Sequence, residues 1–150
     1  MDARFYVPYS INIETGETKV VYQNDEIFDS WFTDHAGVIR IASKTDGGNT
    51  TFYHRATETA PFDSLLTTNY KESFAIQFFT FDNKNLYVAT NIGRDKTAVV
   101  EYDLAARKEI KEIYTNQDYD VDGLGYSPKR KVLEAEYFTS GKMEKNLREK

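Results

Sequence analysis

The sequence predicts an all-β chain: a partial β-propeller of four-stranded antiparallel blades, two whole blades flanked by two half-blades. Three observations predict it. Related segments recur with a period in the mid-forties. Asn24, Asn69 and Asn116 stand 45 and 47 residues apart, and Leu86 and Val132 stand 46 apart, which is the length of one blade. Aromatic residues make up 15% of the chain, chiefly 11 Tyr and 10 Phe, and such rings favour a pleated surface. Within each period, short apolar runs alternate with clusters of Gly, Asn and Asp, the punctuation of a meander of hairpins.

Residues 1–26 supply strands three and four of a preceding blade, over 5–13 and 18–22, with Glu14-Thr15-Gly16-Glu17 as the turn. Residues 27–69 form a whole blade with strands at 28–33, 38–43, 50–55 and 61–66. Its hairpin Asp46-Gly47-Gly48-Asn49 is strongly specified, because glycine accepts positive φ without a steric penalty. Residues 70–117 form the second whole blade, with strands at 74–81, 86–90, 97–102 and 109–114. The aromatic run from Phe74 to Phe81 reads as a buried inner strand, and burial is expected to fall from strand one to strand four. Residues 118–140 supply strands one and two of a following blade, over 121–126 and 131–138. Residues 141–150 form a charged tail. Glu144 with Arg148, and Lys145 with Glu149, are i,i+4 pairs, so this tail is expected to be helical or frayed and solvated.

Two blades and two halves make at most three blades, whereas a propeller typically needs about four to eight. The chain is therefore expected to be a piece of a longer protein. The alternative is that copies combine to close a ring. Strand edges and apolar faces left open at either end predict self-association.

With 40% hydrophobic and 29% charged residues, the chain can bury a core. Its net charge of −5 lacks the electrostatic footprint that releases counterions from nucleic acid, so no nucleic-acid partner is expected. The absence of cysteine excludes disulfides, zinc–thiolate sites and thiol catalysis. No run approaches the roughly 18 apolar residues of a membrane span, and no apolar segment of a signal peptide follows Met1. A soluble chain with no membrane partner is expected, from a cytoplasmic or periplasmic parent.

Each motif with chemical potential has a plainer reading that fits better. Gly125-Tyr126-Ser127-Pro128-Lys129 approaches a nucleophile elbow, but lysine replaces the last glycine and Pro128 stands where a helix should begin. It reads as a strand-end turn. Asp118-x-Asp120-x-Asp122-Gly123 begins like a calcium loop, but the bidentate glutamate position is Lys129, whose charge would repel the ion. These aspartates read as a strand entry, capping a turn or facing water. His35 lies in the turn Asp34-His35-Ala36-Gly37, and His54 lies near a strand end beside Arg55 and Glu58. Both read as ordinary hydrogen-bonded histidines. The loop 91–96 lacks the strand–loop–helix setting of a phosphate site. No catalytic, cofactor-binding or metal residue, and no cofactor, is assigned. Loops 46–49, 67–71, 91–96 and 115–118 are expected on one face, and 34–37, 56–60, 82–85 and 127–130 on the other.

The phrases Trp31-Phe32-Thr33-Asp34-His35-Ala36-Gly37-Val38-Ile39-Arg40, Phe79-Thr80-Phe81-Asp82-Asn83-Lys84-Asn85-Leu86-Tyr87-Val88 and Asn91-Ile92-Gly93-Arg94-Asp95-Lys96-Thr97-Ala98-Val99-Val100-Glu101-Tyr102-Asp103 resemble the N-terminal propeller of bacterial serine peptidases of the prolyl oligopeptidase family, in its dipeptidyl-peptidase and acylaminoacyl-peptidase-like branch. The resemblance spans about residues 11–137. It implies a parent in which a propeller precedes an α/β-hydrolase domain, with a Ser-Asp-His triad cleaving peptides between them. No triad residue can be carried onto this chain, whose own role would be to gate peptide access and dock the hydrolase domain. The competing class is a non-enzymatic propeller that binds a ligand or scaffolds partners.

Overall fold

The computed structural model describes residues 6–25 and 28–148. Among these the chain is all-β, with thirteen strands in four antiparallel sheets and no helix. The first sheet is a two-stranded ribbon of β1 (Tyr9–Ile11) and β2 (Thr18–Val20). The second is a four-stranded meander of β3 (Ser30–Thr33), β4 (Ile39–Asp46), β5 (Asn49–His54) and β6 (Asp63–Thr68). The third repeats it with β7 (Phe74–Phe79), β8 (Asn85–Thr90), β9 (Ala98–Asp103) and β10 (Lys108–Tyr114). The fourth has three strands, β11 (Val121–Ser127), β12 (Val132–Thr139) and β13 (Met143–Leu147). The expected strand start at Phe5, the blade start at Ile27 and the Lys145–Glu149 pair lie outside the described residues.

The hairpins form because their turns carry residues that tolerate the left-handed region. Gly37 takes φ +81° between β3 and β4, and Asn83 takes φ +59° at the equivalent point between β7 and β8. Asparagine is among the few non-glycine residues that visit this region readily. The repeated asparagines share a local task in the connections between sheets. Asn24 Oδ1 accepts the Phe28 N–H at 2.8 Å, Asn69 Oδ1 accepts the Lys71 N–H at 2.9 Å, and Asn116 Oδ1 accepts the Asp118 N–H at 2.9 Å. An asparagine that bonds backbone a few residues on bends the chain without help from other elements, so the repeat is visible in sequence.

The second, third and fourth sheets pack face against face in chain order. Ile41, Phe52 and Leu65 of the second sheet meet Phe74, Leu86, Val88, Val100 and Tyr102 of the third. The opposite face of the third sheet presents Ala89 and Val99 to Val121 and Leu124 of the fourth. β8 is covered on both faces, which is why Leu86-Tyr87-Val88-Ala89 reads as a continuous apolar run rather than an alternation. Leu86 and Val88 are fully buried, each worth roughly 1.5–3 kcal/mol of transfer free energy.

Two expectations need correction. Burial does not fall steadily from the first strand. In the third sheet it peaks in β8 and β9, is lower in β7, and is least in β10, because the first strands border a cavity described below. The tail is neither helical nor frayed over its described part. Met143–Leu147 is strand β13, paired with β12 from Thr139↔Met143 to Ala135↔Leu147. Its i,i+4 charges were a weak local preference, and the open edge of β12 offered a full ladder of backbone hydrogen bonds. The strand is otherwise largely exposed, as a solvated segment should be. No helix among the described residues is long and apolar enough to cross a membrane.

Candidate functional site

The first strands of three successive sheets converge on one cavity of about 340 Å³. Trp31, Phe32 and Thr33 come from β3, with Asp34 and His35 from the turn that follows. Ile76, Gln77, Phe78 and Phe79 come from β7, and Tyr126 comes from β11. Its walls are mostly aromatic. Phe78 and Tyr126 lie 4.1 Å apart between ring centroids, and Tyr126 meets His35 edge-on at 5.9 Å.

His35 is the joint between the second and third sheets. Its Nε2–H donates to the Phe79 carbonyl at 2.9 Å, which as an acceptor requires the proton on that nitrogen. Its backbone N–H donates to Asn83 Oδ1 at 3.0 Å. Its ring stacks on Phe81. Gln77 is the joint between the third and fourth sheets. Its Oε1 accepts the Leu124 N–H at 3.3 Å, and its Nε2 donates to the Ala75 carbonyl at 3.1 Å. Gly123 makes room for that amide: a Cβ there would stand 2.8 Å from Gln77 Oε1.

Behind the cavity, a charged network stiffens the β3–β4 turn. Asp34 Oδ1 accepts the N–H groups of Ala36 and Val38 at 2.9 and 3.1 Å, and Oδ2 pairs with Arg40 at 3.4 Å. The Arg40 Nε–H donates to the Arg55 carbonyl at 2.7 Å, and its Nη2 lies 3.4 Å from His54 Nε2. Burial, and then the neighbouring Arg40 and Arg107 cations, lower the pKa of His54 to about 4, with Asp63 opposing. His54 is therefore neutral at pH 7, and its Nε2 accepts from Arg40. On the far face of the second sheet, the buried Arg55 guanidinium lies 5.3 Å from the Tyr22 ring centroid and 4.8 Å from that of Phe62. It also donates to the Ile39 and Glu58 carbonyls at 2.8 and 2.6 Å.

The other motifs stay separate. Ser127 Oγ accepts the Arg130 N–H at 3.3 Å, the bond of a strand-end turn. Asp120 Oδ1 accepts the Thr97 N–H at 2.7 Å, and this bond holds its carboxyl below the usual range. Asp122 Oδ2 accepts from the Thr139 hydroxyl at 2.7 Å. These aspartates do not converge. Among the described residues, no group of three or more His, Asp or Glu could hold a metal ion. Two pairs of loops from neighbouring sheets touch. Asn91 Nδ2 donates to the Lys71 carbonyl at 3.0 Å on one side, and His35 meets Asn83 on the other.

Sequence reading named His35 but missed Gln77 and Tyr126 as partners in one cavity. The near match of the segments ending in Phe79 and Tyr126, one period apart, was the available signal. Comparison of the chain with family models, with curated proteins and with solved structures found no match.

Proposed function

We propose that the chain is a non-catalytic β-propeller segment that gates access of peptides to a hydrolase domain and docks that domain. One observation carries the propeller reading: the first strands β3, β7 and β11 of three successively stacked sheets face a shared cavity, as the inner strands of blades face a central channel. In this reading the second and third sheets are the two whole blades, over 27–69 and 70–117. The ribbon β1–β2 and the sheet β11–β13 are incomplete blades that neighbouring blades complete. The peptidase parent, of the prolyl oligopeptidase type, rests on the resemblance of the phrases around Trp31, Phe79 and Asn91. It is a serine peptidase whose triad lies outside this sequence.

The aromatic cavity also favours a second reading, a non-enzymatic propeller that holds a ligand among Phe78, Tyr126 and His35. A pocket of this size, with aromatic walls and the polar groups of Thr33, Asp34, His35 and Gln77, falls within the range of small-ligand sites.

The parent reading frame tests both. A downstream Gly-x-Ser-x-Gly followed by Asp and His, with a product labelled by a fluorophosphonate, is the expected result. A frame that holds further blades and no such motif would sink the peptidase reading and leave the binding module. Hydrolysis of peptides by residues 1–150 alone would overturn the non-catalytic assignment.

A further inference from the structure

A second cavity, of about 1000 Å³, lies between the third and fourth sheets. Phe81 and Tyr87 line it from one sheet and Leu133 from the other. Its rim is strongly cationic for so acidic a chain. Arg130, Lys131, Lys145 and Arg148 line it, against Glu134 as the single carboxylate. Two of these cations are already engaged. Arg130 pairs with Glu134, and Arg148 pairs with the buried Glu136 and donates to the Ile113 carbonyl at 3.0 Å. Lys131 and Lys145 have no ion-pair partner among the described residues. Lys145 only lies over the Tyr137 ring, 5.8 Å from its centroid.

An apolar floor with two uncommitted ammonium groups on its rim matches one ligand chemistry. We infer that this groove binds a small organic carboxylate with an apolar body, the body against Phe81, Tyr87 and Leu133 and the carboxylate on the cationic rim that carries Lys131 and Lys145. The volume lies at the upper end of the range of small-ligand pockets, about 300 to 1,000 Å³. A carboxylate gains charge-assisted hydrogen bonds there that a neutral amide of the same shape lacks. The inference concerns a different cavity from that of the β3, β7 and β11 strands, and it stands or falls apart from the peptidase reading.

The test is calorimetric titration of the full chain with 4-phenylbutyrate, with 4-phenylbutyramide, and with a pentapeptide ending in a free leucine carboxylate. The expected result is saturable binding of phenylbutyrate and at least about tenfold weaker binding of the amide. Binding of the acid should weaken as salt is raised. It should also fall at least about tenfold in Lys131→Gln/Lys145→Gln, a variant whose urea midpoint should match the parent. If the double variant fails to fold, Lys145→Gln alone should lower affinity and flatten the salt dependence. Equal binding of acid and amide would overturn the inference. Binding confined to the peptide, or no binding of phenylbutyrate up to about 10 mM, would overturn it equally.

Discussion

The His35 imidazole lies nearly parallel to the Phe81 ring, their centroids 5.4 Å apart and their planes 17° from parallel. A turn residue of the second sheet is thereby stacked on the second residue after β7, while its Nε2–H is bonded to the carbonyl of Phe79, the last residue of that strand. The contact joins residues more than forty positions apart and fixes His35, which lines the aromatic cavity.

Replacing His35 should therefore loosen two sheets at once. His35→Ala removes a stacked ring and a hydrogen bond to the carbonyl of the buried Phe79, and should cost about 1.5–3 kcal/mol in urea unfolding. His35→Phe keeps a ring and loses the donor, and should recover part of that loss. A midpoint unchanged in both variants would mean that the joint contributes nothing to sheet packing.

Gly123 and Gln77 should behave as a coupled pair. Gly123→Ala places a Cβ 2.8 Å from Gln77 Oε1, the movable end of a flexible side chain. The amide should swing away and release the Leu124 N–H, costing about 1 kcal/mol. In a Gln77→Ala background the same substitution should cost less, with a coupling energy of at least about 0.5 kcal/mol in a double-mutant cycle. Strict additivity would show that the amide does not occupy the space beside Gly123.

His54 sets a pH dependence whose sign is determined. Its folded pKa of about 4 lies below the ordinary value of 6.5, so between those values the unfolded chain binds the proton and the native chain does not. Stability from this group is complete above the ordinary value and is lost as pH falls toward the folded one. Because His54 is only half-buried, solvent screening reduces the contribution to about 1–2 kcal/mol. The difference in unfolding free energy between the parent and His54→Gln should change by that amount between pH 7 and pH 4. A constant difference across the range would show an unperturbed His54.

Asp120 should matter for stability and not for calcium. Its carboxylate accepts the Thr97 N–H at 2.7 Å, and the Val121 N–H donates to the Thr97 carbonyl at 3.1 Å. Together these bonds seat the start of β11 against the start of β9. Asp120→Ala should cost about 1 kcal/mol, Asp120→Asn less, and Asp118→Ala close to nothing. Millimolar calcium should leave the thermal midpoint unchanged. A calcium-dependent rise that vanishes in Asp118→Ala would restore the loop as an ion site.

The legible part of the fold was the local part. The β7–β8 hairpin could be read from an aromatic run, an Asp-Asn-Lys-Asn turn and a second apolar run, because strand alternation and turn geometry act within a few residues. The repeated Asn24, Asn69 and Asn116 could be read for the same reason, since each bonds backbone two to four residues on. The cavity could not be read this way. Its walls come from β3, β7 and β11, and the bonds that close it, His35 to Phe79 and Gln77 to Leu124, span 44 and 47 residues.

By itself, then, the sequence determined an all-β chain of repeated antiparallel hairpins, with no thiol chemistry and a net charge of −5. The tertiary structure decided which strands face a cavity, that His54 is neutral, that Asp120 holds a backbone amide, and that Met143–Leu147 adds a third strand to the last sheet. The division follows the range of the forces. Alternation and turn preference are set by near neighbours along the chain. Desolvation, ring stacking and edge pairing depend on what the folded sheets bring alongside.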